Sequence, residues 1–229
     1  MVIAAILAAG TGSRMGLEIP KQFAQLAGKP VVARTAEQFL HHPEVDHVVV
    51  LVPAGWVDAA KELLGGGAAV VAGGETRSGT LRRALAYVRE TFGENDHILM
   101  THDAVRPFVT RRIISENIAA AREYGACGTA IPATDTIVRS EDGVTMRDIP
   151  PRSQMYQAQT PQTFRCAALA KMMDALTPEE EAALTDACMI FTLKNAAVAL
   201  VRGETYNMKI TYPQDLLNAE FLMLNAEFR

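Results

Sequence analysis

A glycine-rich stretch beside two cations is the part of this sequence whose residue types could do chemistry. It follows an apolar run at 2–7, reads L-A-A-G-T-G-S-R-M-G at 7–16, and is followed by P-K-Q at 20–22. Glycines let successive backbone N–H groups turn towards one point, and Arg14 and Lys21 add the charge that backbone dipoles lack. The stretch therefore indicates a polyanion site, which a nucleoside triphosphate would fit.

Two well-known phosphate motifs do not match this stretch. A P-loop has lysine and then serine or threonine after its last glycine, but Leu17 and Glu18 follow Gly16. The dinucleotide fingerprint has glycine at its sixth position, where this chain has Met15. A glycine-rich turn from strand to helix with solvated cations remains the alternative reading.

The elements that would position the stretch alternate between strand and helix. Short apolar runs predict strands at 2–7, 48–52, 68–72, 97–101 and 128–132. Apolar periodicity predicts helices at 31–40, 56–64, 77–91 and 110–124, with Thr110 as the N-cap of the last one. This rhythm predicts right-handed βαβ units, and so a Rossmann-like α/β fold with a mostly parallel open sheet and helices on both faces. The loops at 8–16, 73–80 and 102–107 would then meet at the carboxyl edge of the sheet.

The alternation stops at Asp135. From there to about residue 155 the chain is polar, and Asp142-Gly143 between T-I-V and V-T-M predicts a projecting β-hairpin arm. Apolar residues exposed on such an arm favour a protein partner. Helical signals resume at 166 and at 185, a last strand is expected at 196–201, and a closing helix at 212–225. With no linker or repeat, residues 1–229 are expected to form a single domain.

Bulk composition narrows the class of protein. A hydrophobic fraction of 49% and a charged fraction of 21% are ordinary for a soluble globule, and a net charge of −4 argues against nonspecific nucleic-acid binding. The three cysteines are odd in number and include no C-x-x-C pair, so neither a disulfide framework nor a zinc site is expected. The apolar run at 2–7 is too short for a signal or membrane span, so we expect a cytoplasmic protein.

Seven motifs in one order make the chain resemble a known family over essentially its whole length. The run at 7–16 with P-K-Q at 20–22 is similar to that of nucleotidyltransferases that activate sugars and polyol phosphates, particularly the cytidylyltransferases for methylerythritol phosphate and ribitol phosphate. The further motifs are G-G-E-T-R at 73–77, H-D-A-V-R-P at 102–107, D-T at 135–136, Q-T-P-Q at 159–162, T-D-A at 185–187 and N-M-K-I-T at 207–211.

The resemblance implies which residues bind CTP and catalyse the transfer. Arg14, Lys21 and Lys209 match the catalytic cations, although Lys209 alone reads as an ordinary surface lysine. The nucleotide-binding positions are Ala8, Ala9, Gly10, Gly12, Gly74, Arg77, Thr80, Asp103 and Ala104. Asp103 could bind the ribose or Mg²⁺, and a strand-end aspartate can also be only a turn cap.

The chemistry explains why cations dominate these motifs. A phosphomonoester has a second pKa near 6, so its oxygen is already an anionic nucleophile and no general base is required. The site must neutralise charge and align two anionic reactants. His102 is accordingly expected to be structural.

The resemblance also implies a second-substrate site and a homodimer. The matching positions are Thr136, Arg152, Thr160, Thr185 and Asp186. A guanidinium presents a bidentate fork to phosphate, although an arginine in a polar hairpin is often only solvated. In the resembled family the arm interlocks two subunits, so each site is expected to take Lys21 from one chain and Arg152 from the other.

Within that family the chain resembles the ribitol branch. Val138 stands where the erythritol enzymes typically have lysine, and Ala187 where they usually have an acidic residue. We therefore expect transfer of a cytidylyl group from CTP to ribitol 5-phosphate, giving CDP-ribitol for teichoic-acid or capsule polymers, with methylerythritol 4-phosphate as the alternative acceptor.

Two other classes of function remain open. A dinucleotide-dependent oxidoreductase predicts an acidic residue after the second strand, where V-P-A stands at 52–54. A noncatalytic nucleotide sensor would bind CTP without releasing pyrophosphate.

Overall fold

A seven-stranded sheet forms the centre of the computed structural model, which describes residues 1–10, 15–16 and 19–225. Its strand order is β5-β4-β1-β6-β8-β7-β9, and β2 and β3 form a separate antiparallel pair. The strands are β1 (Val2–Leu7), β2 (Gln25–Leu26), β3 (Lys29–Pro30), β4 (His47–Val52), β5 (Ala69–Ala72), β6 (Ile98–Asp103), β7 (Ala126–Pro132), β8 (Tyr156–Arg165) and β9 (Ala199–Arg202).

Helices connect these strands in the predicted alternation. They are α1 (Val31–Leu40), α2 (Val57–Leu64), α3 (Arg77–Phe92), α4 (Arg111–Tyr124), α5 (Cys166–Asp174), α6 (Pro178–Ala182), α7 (Met189–Leu193) and α8 (Pro213–Leu224). Short 3-10 turns lie at Lys21–Phe23, Ala54–Trp56 and Arg152–Gln154. The Thr110 side chain accepts a hydrogen bond from the Ile113 N–H, which confirms it as the N-cap of α4.

Both faces of the sheet are covered by helices. Ile6 of β1 belongs to a buried cluster with Phe39 of α1, and the preceding Ala5 belongs to a second cluster with Leu81 of α3. Successive side chains of a strand point to opposite faces, so β1 is apolar throughout. Burying a side chain such as Phe39 or Leu81 contributes about 1.5–3 kcal/mol. The α/β fold and its mostly parallel sheet are confirmed.

Strand β8 is the strand of the seven-stranded sheet that sequence patterning did not predict. It runs antiparallel to both β6 and β7, between otherwise parallel strands. Its sequence is polar, and the polar side chains that it buries are hydrogen-bonded to the sheet and to the segments around it. The Thr160 hydroxyl contacts the His102 ring, and the Gln162 side chain donates to the Asp186 carboxylate. A strand stabilised in this way lacks the apolar alternation by which strands are recognised in a sequence.

The arm reverses direction where predicted, but its flanks do not form the expected strands. Gly143 has φ +71, and one bridge joins Arg139 to Asp148, whose carbonyl accepts from the Arg139 N–H at 2.9 Å. The Asp142 carboxylate accepts from the backbone N–H groups of the two residues after Gly143, each at 2.8 Å. Because these N–H groups are occupied by a side chain, they are not free for a ladder. The two flanks at 136–138 and 144–146 therefore do not form regular strands, although the chain reverses direction at the predicted turn.

Candidate active site

A cavity of about 360 Å³ opens at the carboxyl ends of β1 and β6, beside the N-terminus of α3. The described parts of the loops at 8–16, 73–80 and 102–107 converge at this cavity, as the sequence predicted. A segment near the end of the chain, which carries Lys209, also lines it. The lining residues are Leu7, Ala8, Ala9, Gly10, Lys21, Gln22, Gly74, Glu75, Thr76, Arg77, Thr80, Asp103, Ala104, Val105 and Lys209. Gly12 and Arg14, both predicted site residues, lie outside the described residues.

Gln22 fixes the first loop of the cavity, a role that the sequence did not reveal. Its side chain is 2% exposed, and its Nε2 donates to the carbonyl oxygens of Ala8 at 2.5 Å and Gly10 at 3.0 Å. Its neighbour Lys21 donates from Nζ to the Ile210 carbonyl at 2.9 Å. The P-K-Q motif thus ties the glycine-rich loop to the segment that carries Lys209.

Close backbone approach explains the second glycine motif. A Cβ at Gly73 would lie 2.5 Å from the Ala9 Cβ, and one at Gly74 would lie 2.4 Å from the Gly79 carbonyl carbon. The Gly74 N–H also donates to the Thr80 hydroxyl at 3.1 Å. The start of α3 can therefore pack directly on the loop that borders the cavity.

Three cations surround the buried carboxylate of Asp103. Its Oδ1 lies 2.9 Å from Nη1 of Arg77, and its Oδ2 lies 3.1 Å from Nζ of Lys209 and 3.4 Å from Nε of Arg106. Burial raises the pKa of Asp103, but the charges of Arg77, Lys209 and Arg106 outweigh burial and hold that pKa well below its usual range. Three positive groups against one negative group leave a net charge of +2, which suits a triphosphate.

Arg106 joins this cluster to the segment that carries Lys209. Its guanidinium is buried, and its Nη1 donates to the Asn207 carbonyl at 2.7 Å. The Ile210 N–H donates to the Val105 carbonyl at 2.9 Å, which makes a second link. Lys209 therefore reaches Asp103 because two distant motifs are bonded to each other.

The described residues offer little to a divalent cation at Asp103. Both carboxylate oxygens already face cations, and no group of three or more His, Cys, Asp or Glu side chains that could hold a metal occurs among the described residues. Mg²⁺ prefers several oxygen ligands, commonly phosphates and waters besides one or two carboxylates. Asp103 by itself does not form such a site, and its role as a metal ligand stays a prediction.

His102 lies behind the cavity and is not among the residues that line it. The side chain is fully buried, and burial lowers the pKa of His102 to about 4. A ring that stays neutral and contacts no solvent is unsuited to proton exchange with a substrate. The expectation that His102 is structural agrees with this placement.

The predicted second-substrate residues of the main body lie apart from the cavity lining. Thr160 is 3% exposed and turns its hydroxyl inwards, while Thr185 is exposed. Asp186 accepts from the Cys188 N–H at 2.8 Å and from the Gln162 side chain. The carboxylate of Asp186 is therefore used to shape its own turn.

The predicted second-substrate residues of the arm are exposed. Arg152 donates from Nη1 to the Thr134 carbonyl at 3.2 Å, and Thr136 lies on the same exposed arm. Neither residue is among those that line the cavity of its own chain. A single chain does not bring these two residues to the cavity.

Within residues 1–10, 15–16 and 19–225, every helix is too short or too polar to cross a membrane.

Comparisons with known proteins show what this chain is similar to. A family model described as 2-C-methyl-D-erythritol 4-phosphate cytidylyltransferase matches residues 2–225. The chain is 45% identical over 231 residues to a Lactiplantibacillus plantarum protein named ribitol-5-phosphate cytidylyltransferase, covering 97% of this chain and 98% of that one.

Solved structures show the same fold. A 2-C-methyl-D-erythritol 4-phosphate cytidylyltransferase from Thermus thermophilus superposes with a TM-score of 0.78 at 30% identity, covering 98% of this chain and 100% of that one. A 4-diphosphocytidyl-2C-methyl-D-erythritol synthase from Anaerococcus prevotii superposes with a TM-score of 0.82 at 26% identity, covering 98% and 96%.

Proposed function

Because this chain belongs to the 2-C-methyl-D-erythritol 4-phosphate cytidylyltransferase family, we propose that it is a cytidylyltransferase whose acceptor is D-ribitol 5-phosphate. A phosphate oxygen of the acceptor attacks the α-phosphorus of CTP, the bond between that phosphorus and the bridging oxygen breaks, and pyrophosphate leaves with CDP-ribitol as the other product. The observation that carries the choice of acceptor is the 45% identity, over nearly the whole chain, to a protein named for ribitol 5-phosphate.

The cavity offers the electrostatic conditions that this transfer needs. Lys21 and Lys209 both line the cavity, and Lys21 is bonded to the carbonyl of Ile210, next to Lys209, so their spacing is fixed before substrate arrives. Preorganised cations stabilise charge that builds up on the α-phosphoryl group without rearranging during the reaction. Asp103 keeps Arg77 and Lys209 in place while leaving the net charge positive. We assign the predicted Arg14 the same electrostatic role.

The acceptor supplies its own nucleophile. Its phosphate is ionised at neutral pH, so the residues near the cavity need only align it with the α-phosphorus. Thr185 and Asp186 remain the proposed contacts in the main body, with Thr136 and Arg152 from the arm. We propose that Mg²⁺ enters with CTP and neutralises phosphate oxygens when bound.

The proposal includes a homodimer in which each arm reaches the cavity of the other chain. The arm carries apolar side chains that have no cover within the described part of their own chain: Val144 is 88% exposed, Met146 71% and Ile149 58%. Apolar surface of this kind favours a protein interface. We place the enzyme in the cytoplasm, where its product would feed the synthesis of teichoic-acid or capsule polymers.

The alternative acceptor is 2-C-methyl-D-erythritol 4-phosphate. The family model and the solved structures described above carry that name or the name of its product, which favours this alternative. Their sequence identities of 26% and 30% are lower than the 45% shared with the ribitol relative.

A pyrophosphate-release assay tests the proposal. It crosses CTP, UTP and ATP with the two polyol phosphates, each with Mg²⁺ and with excess chelator. We expect the highest kcat/KM with CTP and ribitol 5-phosphate, and loss of activity with chelator. Equal or higher kcat/KM with methylerythritol phosphate would overturn the choice of acceptor, and CTP binding without pyrophosphate release would indicate a sensor.

A further inference from the structure

The proposed transfer leaves the buried His102 without a chemical role. The ring is 0% exposed, lies next to the Phe39 ring with centroids 4.9 Å apart, and immediately precedes Asp103 in β6. Both ring nitrogens are hydrogen-bonded within the protein, Nδ1 to the Thr160 hydroxyl at 2.9 Å and Nε2 to the Arg106 carbonyl at 3.0 Å.

The Arg106 carbonyl at one end of this chain of hydrogen bonds, together with the neutral charge of the ring, fixes the direction of every bond in it. The Asp103 N–H can only donate, and it donates to the Thr160 hydroxyl oxygen at 3.1 Å. The Arg106 carbonyl can only accept, so Nε2 of His102 carries a hydrogen. The Thr160 hydroxyl then donates its single hydrogen to Nδ1, which bears none. The ring is held as one neutral tautomer.

This chain of hydrogen bonds closes the turn that carries two charged residues of the cavity cluster. The Arg106 N–H donates to the Asp103 carbonyl at 3.1 Å, which forms the turn itself. The Thr35 hydroxyl donates to the Ala104 carbonyl at 2.8 Å in the middle of the turn. His102 and Thr160 therefore bond to the backbone of both end residues from the side away from the cavity, and fix the direction in which their side chains extend.

We propose that His102 and Thr160 are positioning residues, which hold the turn at 103–106 so that Asp103 keeps Arg77 and Lys209 aligned for phosphoryl transfer. In this role Thr160 acts through Asp103 rather than by contact with the acceptor. Its hydroxyl is already used, as acceptor from one backbone N–H and as donor to one ring nitrogen. The inference rests on the proposed function, whereas the hydrogen bonds from which it is argued do not.

The principal variants change the hydroxyl alone. Thr160→Val removes it at nearly constant shape, and Thr160→Ser keeps it. Thr101→Val is the matched control, because Thr101 is equally buried, lies in β6 beside His102, and donates one hydroxyl hydrogen bond to the Gln162 carbonyl at 3.0 Å. The valine variants thus both lose a buried hydroxyl, but only one of them breaks the contact with the turn.

A positioning role for Thr160 and a purely structural role predict different kinetics. We expect Thr160→Val to lower kcat about 10- to 100-fold, because small displacements of reacting groups cost that much, with KM for CTP changed less than about threefold. Thr160→Ser should return kcat to within about threefold of wild type, and Thr101→Val should stay in the same range. Unchanged kcat in folded Thr160→Val, no recovery in Thr160→Ser, or an equal loss in Thr101→Val would overturn the proposal. A wild type that releases no pyrophosphate would instead contradict the proposed function.

A spectroscopic measurement on the wild-type protein keeps the inference testable if a variant does not fold. Nitrogen NMR of the ring, assigned by the signal lost in His102→Gln, should show hydrogen on Nε2 and none on Nδ1 at neutral pH. Hydrogen on Nδ1, or a ring exchanging between tautomers, would overturn the proposed chain of hydrogen bonds.

Discussion

Lowering the pH should destabilise the wild-type protein more than the variant His102→Gln. Burial lowers the pKa of His102 from 6.5 to about 4 in the folded chain, and the unfolded chain regains the ordinary value. As pH falls through this window the unfolded state takes up a proton that the folded state does not. The stability linked to the neutral ring is therefore fully present above 6.5 and is lost as pH falls towards 4.

The size of this effect follows from the two pKa values. Between about pH 7 and about pH 4.5, the wild type should lose about 2.5 kcal/mol more free energy of unfolding than a chain without the ring, because each unit of pKa difference is about 1.4 kcal/mol. Glutamine at position 102 does not titrate, so its variant lacks this loss whatever its stability at neutral pH. Urea unfolding at both pH values gives the two free energies.

The control for this comparison is His41→Gln, a change at an exposed residue after α1. It should keep the pH dependence of the wild type. If His102→Gln lost as much stability between the two pH values as the wild type and His41→Gln, the ring would not be held neutral in the folded state. The reasoning from burial would then be refuted.

Three further predictions concern the cavity and the arm. Gly74→Ala should lower the free energy of unfolding in urea by about 1–3 kcal/mol, because the new Cβ would lie 2.4 Å from the backbone of α3. Gly10→Ala should cost less, because its Cβ would meet nothing within 4 Å. Equal costs would contradict the close approach at Gly74. Asp103→Asn should cost about 3–5 kcal/mol, since it leaves the buried Arg106 and the partly buried Arg77 without their counter-charge. A loss below about 1 kcal/mol would mean that water replaces the carboxylate. Lys21→Ala and Arg152→Ala should each be nearly inactive, yet coexpression should restore about a quarter of wild-type activity, because about half the dimers are mixed and one of their two sites is intact. A mixture that stays inactive although mixed dimers form would place Arg152 in the site of its own chain.

The sequence predicted those parts of the fold that depend on local pattern. The run at 48–52 is apolar and β-branched because β4 is buried on both faces, and Thr110 is recognisable as an N-cap from its own neighbours. Strand β8 has neither kind of pattern, because the polar side chains that it buries are hydrogen-bonded to residues distant in the sequence. The arm shows the opposite error: an Asp-Gly pair predicts a reversal, but not that the Asp142 side chain would take the hydrogen bonds of the flanks.

The residues of the candidate site can also be separated into those that local sequence pattern predicts and those that it does not. The glycine-rich loop and Lys21 could be found from residue types, whereas Lys209 was found only through the family resemblance, because nothing around it in the sequence is unusual. Arg106 bonds to Asn207, 101 residues away, and no pattern within either segment reveals that contact. Thr160 was placed by motif, but its hydrogen bonds depend on the pairing of its own strand β8 with β6, which local pattern did not predict.

An internal competition for one nucleotide tests the choice of acceptor most directly. Limiting CTP is offered to an equimolar mixture of ribitol 5-phosphate and 2-C-methyl-D-erythritol 4-phosphate with Mg²⁺, and both products are quantified by phosphorus NMR. The product ratio equals the ratio of the two kcat/KM values, independently of how much of the enzyme is active. We predict CDP-ribitol in large excess; an excess of the cytidylylated erythritol, or equal amounts of the two, would contradict the assignment.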